Sequence, residues 1–140
     1  MARASQEIES PGGMKLRFIQ TGAETGGELL EMEAAYSGDG SMPPMHLHPT
    51  QAERFEVLEG RIRAIVGGEE RIYGPGESFD VPAGTPHQMG AEEPTRIRWE
   101  VRPALRTAEF FERLYGEGPD SAREMGEGFW NEFEPEFRLA

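Results

Sequence analysis

No apolar segment of this chain runs far before a glycine or a proline interrupts it. Eighteen glycines and eleven prolines are spread through 140 residues, and between them apolar residues alternate with polar ones. Glycine readily takes positive φ and proline lacks an N–H, so both end regular elements. Punctuation at this spacing leaves little room for long helices and predicts many short strands joined by tight turns. The expected class is all-β, a sandwich or a barrel.

The alternation places the strands. Met14 to Gln20 reads as a first strand, and in the next one Leu30, Met32, Ala34 and Tyr36 share a face while Glu31 and Glu33 take the other. Further strands are expected around His46, from Glu53 to Leu58, Ile62 to Val66, Ser78 to Val81, His87 to Met89 and Arg96 to Arg102, seven or eight in all, enough to close a small barrel. Gly40, Gly60, Gly76 and Gly84 are read as positive-φ turn residues. One helix is expected, Thr107 to Tyr115, with Thr107 as N-cap, Gly116 as its stop, and Phe110, Phe111 and Leu114 as an apolar stripe packed on the barrel. In the tail, Phe129, Trp130, Phe133 and Phe137 recur near helical spacing until Pro135 interrupts.

Length fits one domain with an ordinary core. Without cysteine there is no disulfide and no thiolate ligand, so any bound metal must be held by nitrogen and oxygen. A net charge of −12, with thirteen Arg and one Lys scattered among acids, argues against a nucleic-acid partner. Arg96, Arg98 and Arg102 alternate with Ile97, Trp99 and Val101, as on the wet face of a half-buried strand. Met1 to Ser10 lacks the apolar core of a signal peptide and no window approaches the roughly 18 apolar residues of a membrane span, so a cytoplasmic protein without a membrane partner is expected.

Chemistry concentrates at three histidines and one acid. Taken singly, a histidine is more often a hydrogen-bonded core or surface residue than a ligand. Here, however, His46 and His48 are one pleat period apart and project to the same side of a strand. Glu53 follows a short connector, expected to turn the chain into an antiparallel neighbour beside the histidine strand, where Glu53, Phe55 and Val57 share the inward face. A carboxylate leading two apolar residues inward is costly unless paired, and a divalent cation is a suitable partner. His87 comes directly after Pro82-Ala83-Gly84-Thr85-Pro86, a rigid segment suited to delivering a ligand. Three imidazoles and a carboxylate fit one Fe, Mn, Co, Ni, Cu or Zn ion and leave an octahedral ion two open positions. Phe55, Tyr73, Phe79 and Trp99 read as core in preference to pocket lining, and Gln51 and Gln88 as neighbours of the ligand segments, Gln88 facing away.

These residues fall in two motifs that resemble those of the cupin superfamily. The first runs Gly40, five residues, His46-Leu47-His48, four residues, Glu53, six residues, Gly60; the second runs Gly76, five residues, Pro82-Ala83-Gly84, two residues, His87, with fifteen residues between the motifs. Ala91 departs from the pattern, standing where cupins often carry Asn. The resemblance implies one cupin domain over residues 1–140, with motifs at 40–91 and a C-terminal helix and tail at 107–140. It implies a double-stranded β-helix, or jelly-roll barrel, commonly a homodimer, with the metal inside the barrel mouth.

Three functions are compatible with such a site. In the first, a small molecule with adjacent oxygens chelates the metal, which acts as Lewis acid or passes electrons to dioxygen, with Glu53 as ligand and proton acceptor: a dioxygenase or related oxidoreductase. In the second, a redox-silent metal polarises a carbonyl for isomerisation or lyase chemistry. In the third, the pocket binds a small ligand or an ion without catalysis. A fold does not choose among them.

Overall fold

The computed structural model describes residues 2–10 and 13–140. In chain order its elements are β1 (Glu7–Glu9), β2 (Lys15–Gln20), α1 (Gly22–Thr25), β3 (Leu30–Tyr36), β4 (His46–Leu47), β5 (Ala52–Glu59), β6 (Ile62–Val66) and β7 (Glu69–Tyr73). There follow β8 (Ser78–Val81), β9 (His87–Gly90), β10 (Thr95–Arg102), α2 (Thr107–Leu114), α3 (Ala122–Met125), α4 (Glu127–Phe133) and β11 (Arg138–Leu139). All eight strands read from the apolar pattern are present.

Two antiparallel sheets result. One has the order β1-β2-β3-β10-β5-β8 and the other β11-β4-β9-β6-β7. Their inner faces enclose the core of a jelly-roll barrel. The period-2 pattern explains which residues enter it: on β5, Glu53, Phe55 and Val57 are buried, and on β10, Ile97 and Val101 are. The register sets Trp99 between Phe55 and Met32. Burial of side chains such as Phe18, Met32, Phe55 and Ile97 stabilises the fold by roughly 1.5–3 kcal/mol each. On the outer face Arg96 pairs with Glu59 at 3.1 Å and Arg98 with Glu31 at 2.8 Å, the solvated charge ladder expected of that stretch.

The motif glycines Gly40, Gly60, Gly76 and Gly84 all have positive φ. Gly60 also needs its missing side chain, since a Cβ there would collide with Thr95.

Several elements depart from the sequence reading. The connector after His48 does not make a hairpin within one sheet: β4 lies in the five-stranded sheet and β5 in the six-stranded one. Pro49 to Gln51 therefore carry the chain across the barrel. The partner beside His46 is His87, through the β4–β9 pairing. Strand β7 escaped notice because, at the sheet edge, Glu69, Glu70, Arg71 and Ile72 are all exposed and show no alternation. β1, α1 and β11 are too short to carry a period. Helix α2 has Arg106, not Thr107, at its N-cap, because the Thr107 hydroxyl is used elsewhere, as acceptor for Gln51 Nε2 at 2.7 Å.

Beyond α2 the chain builds a second apolar cluster over one end of the barrel, from Phe110, Phe129 and Phe133. Helix α4 stops two residues before Pro135. β11 then returns to pair with β4, Leu139 opposite His46. The tail ends beside the histidine motif.

Candidate metal centre

His46 begins β4 and His87 begins β9, directly opposite each other in that pairing, and His48 follows β4 by one residue. Ligand nitrogens of the three imidazoles all lie within 4.8 Å of one another. From the facing sheet, Glu53 Oε1 comes to 3.2 Å from His48 Nε2 and 3.0 Å from His87 Nε2. The four residues expected to converge do so: His46 and His87 from one sheet, His48 from just past its strand β4, and Glu53 from the other sheet.

The hydrogen-bond pattern bears on what this cluster can hold. Each histidine places Nδ1 against a backbone carbonyl: His46 on Pro44 at 2.9 Å, His48 on Glu136 at 3.0 Å and His87 on Thr85 at 2.9 Å. A carbonyl only accepts, so each Nδ1 carries the proton and donates it. In the neutral rings Nε2 then presents a bare lone pair. For His48 and His87 that lone pair faces Glu53 Oε1, itself buried without a hydrogen-bond donor. Lone pairs meeting at about 3 Å repel unless a cation or an added proton lies between them. Two ligands at right angles on an ion with bonds of about 2.1 Å stand roughly 3 Å apart, so the observed separations fit a shared ion.

The electrostatics agree. Burial, reinforced by the neighbouring His87 and His48 rings, pushes His46 down to about 4, so it stays neutral at ordinary pH. For Glu53 burial works against the charge, yet His48 and His87, where they carry a second proton, outweigh it and hold the carboxyl well below its usual range. For His48 burial would lower the pKa, but the Glu53 carboxylate and the Glu136 carbonyl outweigh it and raise the value. Without an ion, a second proton on His48 is the substitute cation.

Two supporting features were not foreseen. Trp99, read from sequence as core, lines the cavity and donates its indole N–H to Glu53 Oε2 at 2.8 Å. The signal was available: in the run Ile97-Trp99-Val101 it is the one inward residue with a polar hydrogen, and a buried indole N–H needs an acceptor. This bond leaves Glu53 presenting Oε1 alone to the ion. The second feature is the tail: Phe137 stacks on His46 with ring centroids 4.6 Å apart, while the Glu136 carbonyl fixes the His48 tautomer. Gln51 is hydrogen-bonded to no imidazole among the described residues. It is buried, and its amide nitrogen donates to the Pro103 and Ala104 carbonyls as well as to Thr107, holding the turn into α2. Gln88 faces away from the cavity, as read, and donates to the Pro43 carbonyl. Phe79 and Tyr73 stack in the barrel wall, the role expected of them.

A cavity of about 610 Å³ opens from the cluster, walled by Phe55, Trp99, Phe110, Phe111 and Phe137 among others. A two-sheet jelly roll with three histidines and a glutamate converging on the wall of such a cavity defines a metal-binding barrel protein. The sequence profile of the cupin domain matches residues 33–101, a span that takes in all four donors. The chain belongs to the cupin superfamily.

Among characterised proteins it is similar to quercetin 2,3-dioxygenase of Bacillus subtilis (strain 168), 29% identical over 75 residues. That match takes in 54% of this chain but only 22% of the relative's length. Solved structures with the same fold include KdgF from Halomonas sp., with a TM-score of 0.62 at 20% identity, covering 70% of this chain and 86% of that one. An RmlC-like cupin from Shewanella frigidimarina gives 0.63 at 20% identity over 74% and 87%. Oxalate decarboxylase from Bacillus subtilis gives 0.59 at 20% identity, covering 71% of this chain and 27% of that one. At such identities the likeness is one of fold. No helix among the described residues is long and apolar enough to cross a membrane.

Proposed function

We propose that this cupin is a metal-dependent oxidoreductase of the dioxygenase type, acting on a small molecule that carries adjacent oxygens. The observation that carries the reading is that all four donors line one cavity of about 610 Å³, so positions left free on an octahedral ion would face space that a substrate can enter. The 29% identity to a quercetin 2,3-dioxygenase over 75 residues supports it.

His46, His48, His87 and Glu53 would hold one divalent transition metal, of the set Fe, Mn, Co, Ni, Cu and Zn that suits nitrogen and oxygen donors. Such an ion supplies Lewis acidity and, where redox-active, electron exchange with dioxygen. The chain's own contribution is positional and protonic. The three carbonyls that hold Nδ1 aim the imidazoles, and Trp99 keeps Glu53 Oε2 occupied. Glu53 would also serve as base, its Oε1 swinging away from the ion to accept the proton of an incoming hydroxyl as the substrate binds. The aromatic wall excludes water from the bound oxygens.

The test is oxygen consumption by protein reconstituted separately with iron, manganese, cobalt, nickel and copper, offered a panel of catechols and enediols. Uptake with at least one metal, abolished by Glu53→Ala, is expected. No uptake with any metal would remove the dioxygenase reading and leave a metal-binding cupin.

A further inference from the structure

The cavity's wall says more about its ligand than the donors do. It is a continuous run of rings that starts beside Glu53 and returns to the histidines: Phe55 and Trp99 at 5.3 Å between centroids, Trp99 and Phe111 at 5.3 Å, Phe111 and Phe110 at 5.3 Å, Phe110 and Phe137 at 4.9 Å, with Phe137 stacked on His46. Such faces favour flat apolar ligands by stacking and edge contacts.

Charge is nearly absent from this wall except as acid. Its one cationic side chain apart from the histidines, among the described residues, is Arg106. That guanidinium is already committed, to Glu109 at 2.6 Å and Glu132 at 2.5 Å, and it lies over the Phe133 ring at 4.5 Å. Asp39 and Glu136 add negative charge along the wall. A substrate with a carboxylate or phosphate at its far end would find no counter-charge there, and burying an unpaired anion is costly.

Besides the buried Gln51 amide oxygen, two phenol hydroxyls on the wall are unspent. Tyr36 and Tyr115 both line the cavity, and no described residue makes a hydrogen bond to either hydroxyl. Tyr36 ends β3 with its ring on the inward side of the six-stranded sheet, near enough to Glu53 to feel the carboxylate's charge. Burial, with Tyr115 and Glu53 adding to it, raises its phenol pKa, so the O–H remains a donor.

Building on the metal-site reading above, we propose that the cavity takes an uncharged, flat aromatic molecule with adjacent oxygens, and that Tyr36 donates a hydrogen bond to one of those oxygens. Tyr36 is then a specificity-determining residue, selecting an acceptor next to the metal while the rings select the flat body.

Calorimetric titration of zinc-loaded protein separates this claim from the redox one, because binding is read without turnover. The probes are 2,3-dihydroxynaphthalene, its 6-sulfonate, which differs by one distal charge, and indole, a flat ring without oxygen. The neutral diol is expected to bind at least tenfold more tightly than the sulfonate. Tyr36→Phe should weaken the diol about tenfold, the scale of one buried hydrogen bond, and leave indole within twofold of wild type. Undetectable diol binding, equal binding of the sulfonate, or a Tyr36→Phe loss shared equally by diol and indole would each overturn the proposal. Absence of oxygen uptake with every redox metal would instead remove the dioxygenase reading and leave this result standing.

Discussion

Replacing Glu53 by Gln tests whether the cluster is a metal site or an internal ion pair, because the two readings give opposite signs in metal-free protein at high pH. Above the raised His48 value that imidazole is neutral, and here each Nδ1–H is committed to a carbonyl. Glu53 then holds a buried negative charge whose Oε1 faces two lone pairs, at 3.2 and 3.0 Å, with only the Trp99 indole donating to its other oxygen. A Gln at this position fits better. Its carbonyl can keep the indole, and its amide group supplies two hydrogens to the bare Nε2 atoms. Relieving an unsatisfied buried acceptor and charge contributes about 1–3 kcal/mol, which for a chain of this size raises the melting temperature by roughly 3–9 °C. With metal the order reverses, since losing a charged ligand weakens affinity at least 100-fold. The assay is thermal melting by circular dichroism at pH 9, in chelator and again in excess metal. A Glu53→Gln protein that melts lower than wild type in chelator, yet gains as much from metal as wild type does, would refute the reasoning.

Three other outcomes follow from the same geometry. Trp99→Phe keeps the ring but removes the donor to Glu53 Oε2, and should weaken metal binding by about 10–100-fold in a chelator competition with little change in the metal-free melting temperature. Deleting residues 136–140 removes the Glu136 carbonyl from His48 and the Phe137 stack from His46; metal affinity should fall at least tenfold while the far-ultraviolet spectrum of the barrel persists, and unchanged affinity would mean the tail is mere packing. The pH dependence should run in opposite directions with and without metal. His48 has its pKa raised by the Glu53 carboxylate against the lowering effect of burial, so its contribution to metal-free stability is full below about pH 6.5 and is lost as pH rises through the folded value. An ion must displace that same proton, so affinity should climb over this interval, measured by competition at fixed metal activity; parallel trends would contradict the assignment.

What could be read in advance follows from which interactions are local in the chain. Strands buried on one face write their own alternation, so β2, β3, β5 and β10 were placed within a residue or two. Elements whose existence rests on a distant partner wrote nothing comparable. β7 is an exposed edge held by β6, and β11 has two residues whose pairing depends on β4 lying nearby. The N-cap of α2 went wrong for the same reason: Thr107 is a competent capping residue by itself, but Gln51, 56 positions earlier, takes its hydroxyl. Local propensity yields where tertiary contacts compete for the same group.

The donors were legible because a metal cluster imposes spacing on residue types that cost free energy to bury alone. Their route of assembly was not. Sequence placed Glu53 beside the histidine strand, whereas the chain crosses from one sheet to the other between His48 and Glu53. That difference has a physical consequence. With Glu53 in the six-stranded sheet and the histidines in or next to the five-stranded one, an ion shared by all four ties the two halves of the barrel across its interior. Trp99 and the tail act on the same junction, one from the Glu53 side and the other from the His48 side. Binding at such a junction favours the closed arrangement of the sheets over any in which they separate, so the free energy of metal binding appears as stability of the barrel. The cavity rings, which come from the six-stranded sheet, from α2 and from the tail, are held in place by that same closure.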